Sequence, residues 1–194
     1  MRTSPRCARC TEKKCREGQD CFSLADEMQA LYDDENIKSL HRAATAVEGR
    51  HYCREPRVRE TILFSREMGY RKIGLAFCIG LADEARIIDD ILRQEFEVYS
   101  VCCKNCAIDK KLLEMEQIDD SRVEYMCNPA GQAELLNRVG SEFNLICGLC
   151  VGHDVVFSKM SQAPVSTLIA KDRVLAHNPA GAIYCQYIRR TLIK

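Results

Sequence analysis

No apolar run in the 194 residues approaches the ~20 needed for a helix to cross a bilayer, so a membrane-spanning role is not expected. Net charge is missing as well. With 28 basic and 28 acidic side chains, the global field that drives non-specific nucleic-acid binding is absent, and no nucleic-acid partner is expected. The opening MRTSPRCARC lacks the apolar stretch and small-residue cleavage site of a secretory signal, which makes the cytoplasm the expected location. No G-x-G-x-x-G or Walker sequence occurs, so nothing supports a dinucleotide or nucleoside triphosphate site.

What the chain has in excess is cysteine. Its thirteen cysteines are an odd number that cannot all pair within one chain. In a reduced compartment, such clustering points to metal binding or thiol chemistry rather than to disulfide staples. The remaining composition, 46% hydrophobic and 29% charged, is that of a globular protein, and the length suits one domain with a small appendage.

Residues 1–21 carry Cys7, Cys10, Cys15 and Cys21 in the spacing C-x2-C-x4-C-x5-C, with almost no large apolar side chain before Phe22. A segment so polar cannot fold by burial, whereas four thiolates converging in one loop suit tetrahedral zinc or an iron–sulfur cluster, with 4Fe–4S the expected type. The tight, irregular gaps favour the cluster over zinc. Arg2, Arg6, Arg9, Lys13, Lys14 and Arg16 would offset the negative charge of such a centre, or form a solvated basic tip.

Residues 22–69 read as helices, with Phe22, Leu24, Met28 and Leu31 at helical spacing, then Ile37, Leu40, Ala44 and Val47 up to Gly49, and a third stretch from Pro56 to Gly69. From Tyr70 the pattern becomes short apolar runs alternating with helical ones, which predicts an α/β domain over 70–194 with a mainly parallel sheet. The runs at 72–78, 97–103, 122–127, 144–150 and 164–170 predict about five strands. Helices are expected near 82–95, 107–117, 130–140, 153–161 and 179–190. A hairpin is expected to turn at Lys171-Asp172 and return over 173–177.

On that reading Cys78, Cys102, Cys103, Cys127 and Cys150 all fall at carboxyl ends of strands. A parallel sheet gathers those ends on the edge where α/β proteins bind ligands. Helix N-termini on that edge bias thiols towards thiolate, so the five cysteines are expected to hold a second centre or to supply reactive thiols. His153 and His177 are possible neighbours, Cys106 and Cys147 extend the pattern, and Cys53 is a reserve ligand or a buried cysteine. His41 and His51 read as surface residues. Asn128-Pro129-Ala130-Gly131 echoes Asn178-Pro179-Ala180-Gly181, each reading as an asparagine cap with proline at the first helical position.

Several motifs together carry a resemblance that spans nearly the whole chain: the four N-terminal cysteines, Ala76-Phe77-Cys78-Ile79-Gly80-Leu81, Ser100-Val101-Cys102-Cys103-Lys104, Cys127-Asn128-Pro129, Gly148-Leu149-Cys150-Val151-Gly152-His153-Asp154, and Lys171-Asp172-Arg173-Val174 before His177-Asn178-Pro179. The chain resembles the family called domain of unknown function 1847, predicted metal-binding proteins of anaerobic bacteria and archaea. The resemblance implies metal binding and names no reaction. Redox or sulfur chemistry with an electron-transfer partner or small-molecule substrate is therefore the expectation; the alternatives are a zinc-stabilised metal store or sensor, and a thiol-dependent enzyme without metal at the strand ends.

Overall fold

After the cysteine-rich opening come two helices, α1 (Ala25–Ala30) and α2 (Glu35–His51). Asp34 starts the second. Its carboxylate accepts from the Asn36 N–H at 2.8 Å, satisfying one of the donors that a helix N-terminus leaves free. Ala43 and Val47, one turn apart, are the buried residues of α2, which runs through Gly49 before ending. The computed structural model describes residues 4–193, and the chain divides into two compact units, Met1–Arg54 and Glu55–Lys194. Arg2 of the basic tip lies outside the described residues.

The second unit opens with α3 (Arg57–Met68), which ends at Gly69 in the left-handed conformation (φ +71°) that favours glycine. A four-stranded sheet follows: β1 (Lys72–Phe77), β2 (Glu97–Cys102), β3 (Phe143–Cys147) and β4 (Val165–Ile169), in the order β2-β1-β3-β4 and parallel throughout. Helices α4 (Ala82–Leu92), α5 (Pro129–Arg138) and α6 (His153–Met160) occupy the crossovers, and α7 (Ala180–Tyr184) and α8 (Gln186–Leu192) come last. The two central strands are the apolar ones. Ile73, Leu75, Ala76, Leu145 and Ile146 are buried there, against Ala85, Ile88 and Leu92 of α4, Leu136 of α5 and Phe157 of α6. Each of the isoleucine, leucine and phenylalanine side chains among them contributes about 1.5–3 kcal/mol on burial. Arg57 fastens α3 to the outer strand, its Nε donating to Thr167 O at 2.9 Å and its Nη2 to Ser166 Oγ at 3.0 Å.

Four of the expected strands form; the run at 122–127 does not. That segment lies antiparallel to residues 108–110: Lys110 N–H donates to Glu124 O at 3.0 Å, and Met126 N–H to Ile108 O at 2.8 Å. Val123 and Tyr125 face solvent, so nothing draws them into the sheet. The helix expected at 107–117 is replaced by two short 3-10 turns at Asn105–Ala107 and Lys110–Leu113, because Leu112, Leu113 and Met115 find no surface to cover and remain exposed. No returning strand follows β4. Asp172 turns the chain there by accepting from the Val174 and Leu175 N–H groups at 2.9 and 2.8 Å. The helix expected near 179–190 breaks in two at Cys185, which is extended.

Gly74 marks the tightest approach in the sheet. A Cβ at this position would lie 2.0 Å from Asn144 Oδ1 and 2.8 Å from Leu136 Cδ1. Asn144 cannot easily withdraw: it is fully buried and donates from Nδ2 to Ser161 Oγ at 2.8 Å. Gly74→Ala should therefore destabilise the fold by about 1–3 kcal/mol, the usual cost of overpacking. Urea unfolding would measure it, and a variant as stable as the parent would show that Asn144 yields.

Candidate functional site

The hydrogen-bond ladder of the sheet continues one residue beyond the strands, and cysteines occupy two of the three extra positions. Cys103 N–H donates to Phe77 O at 2.9 Å, Cys78 N–H to Cys147 O at 3.1 Å, and Gly148 N–H to Ile169 O at 2.8 Å. Asn128 N–H reaches back to Cys103 O at 2.7 Å, which brings Cys127 in beside Cys103. The start of α5 is held there twice more. Gln132, fully buried, donates from Nε2 to Phe77 O at 3.1 Å and to Val101 O at 2.7 Å, while Asn128 Oδ1 caps the helix through Gly131 N–H at 2.8 Å. The asparagine cap expected at Asn128 is present. At the echoed Asn178 the side chain caps nothing, and the helix beyond it has only five residues.

Around this edge the thiols find partners. Lys171 Nζ stands 3.0 Å from Cys78 Sγ, and Arg173 Nη2 stands 2.7 Å from Cys150 Sγ. Both cations come from the loop that Asp172 folds. His177, with φ +62°, closes the same loop by accepting from Asp172 N–H through Nδ1 at 3.1 Å, so its role is to shape the loop. Gly80 leaves room for the lysine, since a Cβ there would sit 3.3 Å from Lys171 Nζ.

Cys103 and Cys127 hydrogen-bond to each other and compete for one proton. Cys127 is the one that ionises: the hydrogen bond from Cys103, then the charges of Lys104 and His153, push it down to about 5. Cys103 goes the other way, raised by its bond to Cys127, by burial, and by the charges of Cys127 and Cys78, although the Ile79 N–H points at its sulfur from 3.4 Å. Burial, helped by Glu84 and Cys78, pushes Cys147 up to about 11, which makes it an inert core thiol. Cys102, the last residue of β2, projects to the face opposite Cys103 by strand alternation and packs against the core. Cys106 is exposed and left-handed (φ +66°), its sulfur 3.2 Å from Asn105 Oδ1.

In the first unit Cys7, Cys10, Cys15 and Cys21 line one cavity of about 440 Å³, together with Arg6, Lys13, Lys14 and Phe22. Left-handed residues at Lys13 (φ +53°), Gly18 (φ +90°) and Ser23 (φ +54°) fold the segment back on itself. Asp20 then ties it to α1, accepting from Ala25 N–H at 2.8 Å and Phe22 N–H at 3.1 Å; these bonds hold its carboxyl below the ordinary range. Cys15 and Cys21 direct their thiols to the carbonyls of Lys13 and Gln19. The donor set suits a thiolate-bound centre, but no group of three His, Cys, Asp or Glu among the described residues is drawn together tightly enough to hold an ion. Cys53 is exposed, with φ +55°, rather than buried. His41 is exposed, with its ring centroid 5.1 Å from that of Tyr32.

With both cysteine groups in view, the family can be tested. The pattern described as "Protein of unknown function (DUF1847)" matches residues 16–168, most of the chain. The chain belongs to the DUF1847 family. Over 190 residues it is 45% identical to "Uncharacterized protein MJ0455" of Methanocaldococcus jannaschii, an alignment covering 97% of this chain and 98% of the relative. No solved structure matches it significantly. The DUF1847 span takes in Cys21 and all the strand-end cysteines but begins after Cys15 and stops before Lys171.

Lys104, Lys171, Arg173 and Gln132 are the residues that cysteine spacing does not single out. Cations beside strand-end cysteines are the one signal in the sequence, and for Lys171 and Arg173 the expected hairpin concealed it. The low pKa of Cys127 gives a direct test. Alkylation follows the thiolate, so the rate at Cys127 should stay level as the pH falls from 8 to 6 and drop only as it passes about 5. An ordinary thiol already slows below about 8.5. Peptide-resolved iodoacetamide labelling would reveal it, and a Cys127 profile centred above 8 would remove the thiolate assignment.

Proposed function

We propose that this protein binds a thiolate-ligated metal centre, an iron–sulfur cluster, through Cys7, Cys10, Cys15 and Cys21, and that its strand-end cysteines work in redox or sulfur chemistry in the cytoplasm. One observation carries the reading. The four thiols share a single cavity in a stretch, residues 4–24, that buries none of its side chains. The non-glycine residues held there in the left-handed conformation cost about 1–2 kcal/mol each, and the stretch has no core to offset them. Metal–thiolate bonds would supply that offset, and Arg6, Lys13 and Lys14 around the cavity would balance the charge of a thiolate-ligated centre. A 4Fe–4S cluster bound there supplies one-electron transfer; zinc in the same four-cysteine set supplies structure alone.

At the strand ends the partners of the thiols favour reactive sulfur over a second centre. Lys171 and Arg173 already contact the sulfurs of Cys78 and Cys150, at 3.0 and 2.7 Å, and Cys103 and Cys127 perturb each other's ionisation. The reading therefore takes a small-molecule substrate at the crevice and an electron-transfer partner at the N-terminal centre, with no nucleic acid or membrane involved. Among the described residues no helix is long and apolar enough to cross a membrane.

Anaerobic purification followed by iron, zinc and acid-labile sulfide analysis tests the centre. A brown protein with iron and sulfide is expected, and the double variant Cys10→Ser, Cys15→Ser should lose one centre and become protease-sensitive before residue 25. A colourless protein with one zinc lost in that variant would make the segment a structural or metal-sensing site. Metal content unchanged by the double substitution would end the proposal.

A further inference from the structure

Two thiols of the crevice differ in a way that sets an order of reaction. Cys127 is partly open to solvent, whereas Cys103 is only 2% exposed, and the bond from Asn128 N–H to the Cys103 carbonyl at 2.7 Å sets the two residues side by side. An incoming molecule can therefore reach Cys127 and not Cys103. The surroundings carry positive charge: Lys104 lies beside Cys127, and Lys171 and Arg173 stand on Cys78 and Cys150. Lys104 also lines a groove of about 430 Å³ with Ile118, Arg122, Val123, Tyr125 and Glu124, whose carboxylate is paired with Lys110 at 2.8 Å.

We propose that Cys127 and Cys103 form a dithiol that reduces small anionic disulfides, Cys127 attacking and Cys103 resolving. The assignment rests on the reading of the crevice as a thiol site and does not depend on the N-terminal centre. In the first step the Cys127 thiolate attacks one sulfur of R–S–S–R; a Cys127–S–S–R bond forms and one R–S⁻ leaves. That step removes the negative charge and the hydrogen-bond acceptor that had opposed ionisation of Cys103. Cys103 then gives its proton to solvent, with the Ile79 N–H beside its sulfur to steady the thiolate, and attacks Cys127 Sγ. The Cys103–Cys127 disulfide forms and the second R–S⁻ leaves. Two thiols have lost two electrons and one disulfide has gained them, so the half-reaction balances with no further reagent. The cations account for the substrate class, because they favour the approach of a carboxylate-bearing disulfide over a cationic one.

The test uses the full chain, reduced and kept anaerobic at pH 7, mixed separately with dithiodipropionate, which is anionic, and cystamine, which is cationic. Peptide mass mapping follows the sulfurs, and metal content is measured on the same samples. Dithiodipropionate should give the Cys103–Cys127 disulfide and two equivalents of released thiol, faster than cystamine, by a margin that shrinks as salt is added. Cys103→Ser should stop at the mixed disulfide on Cys127 with one equivalent released, and Cys127→Ser should lose reaction at this pair. Should Cys103→Ser unfold, Lys104→Met keeps both sulfurs, and it should slow the first step several-fold with dithiodipropionate and not with cystamine, a difference that loss of the Lys104 Nζ bond to Tyr125 O alone would not produce. A first mixed disulfide on Cys78 or Cys150, or two equivalents released from Cys103→Ser, would overturn the pair while leaving the crevice a thiol site. Equal rates for the two disulfides would overturn the anionic class. Failure of every crevice cysteine to react would overturn the thiol reading itself, whatever the metal analysis gives.

Discussion

A parallel sheet brings the carboxyl ends of all its strands to one edge, and here the backbone pairing continues a residue further than the strands themselves. The bonds from Cys103 to Phe77 and from Cys78 to Cys147 fix Cys103 beside Cys78, with Cys147 one residue back on the next strand, with the stiffness of a sheet interior. Adjacent strands lie about 4.8 Å apart, so neighbouring side chains at such positions fall within each other's electrostatic reach. Gln132 extends the same order to α5 by spending one amide on the terminal carbonyls of two strands. Without that register, the remaining features of the crevice would have no common location.

Once thiols are packed at a water-poor edge, their protonation becomes a collective matter. Burial disfavours thiolate, and each thiolate disfavours the next, as the opposite shifts at Cys103 and Cys127 illustrate. Cations resolve the conflict locally. Cys78 and Cys150 each receive one, Cys127 has Lys104 nearby, and Cys147, deepest of the group, stays protonated. The unequal treatment of chemically identical side chains is what gives the site a direction.

Much of this was legible in the sequence. The apolar runs at 72–78, 97–103 and 164–170 became strands to within a residue, and the run at 144–150 became one that stops at Cys147; the two central strands are buried on both faces, and the two outer ones, more exposed, satisfy their backbone against them. The run at 122–127 carries similar residues but pairs with 108–110 at the surface, a choice made by tertiary position and invisible to periodicity. Cys78, Cys102 and Cys103 fall at strand ends as expected, whereas Cys127 follows a segment outside the sheet and reaches this edge through the Asn128 N–H bond to Cys103 O, and Cys150 lies three residues beyond β3. The cations were not legible, since Lys171 acts on a sulfur 93 residues away and Arg173 on one 23 residues away, through a loop whose turn depends on the Asp172 carboxylate.

That carboxylate has a further consequence. An acid placed between two bases ordinarily cancels part of their charge, but Asp172 is engaged with the backbone amides of Val174 and Leu175, leaving Lys171 and Arg173 free to face the sulfurs. The loop thus sends out two positive charges while its negative one is turned inward to hold its own shape. Their contacts at 3.0 and 2.7 Å lie well inside a screening length of about 8 Å at physiological ionic strength. The crevice therefore keeps its charge pattern in salt that erases long-range attraction across the protein surface.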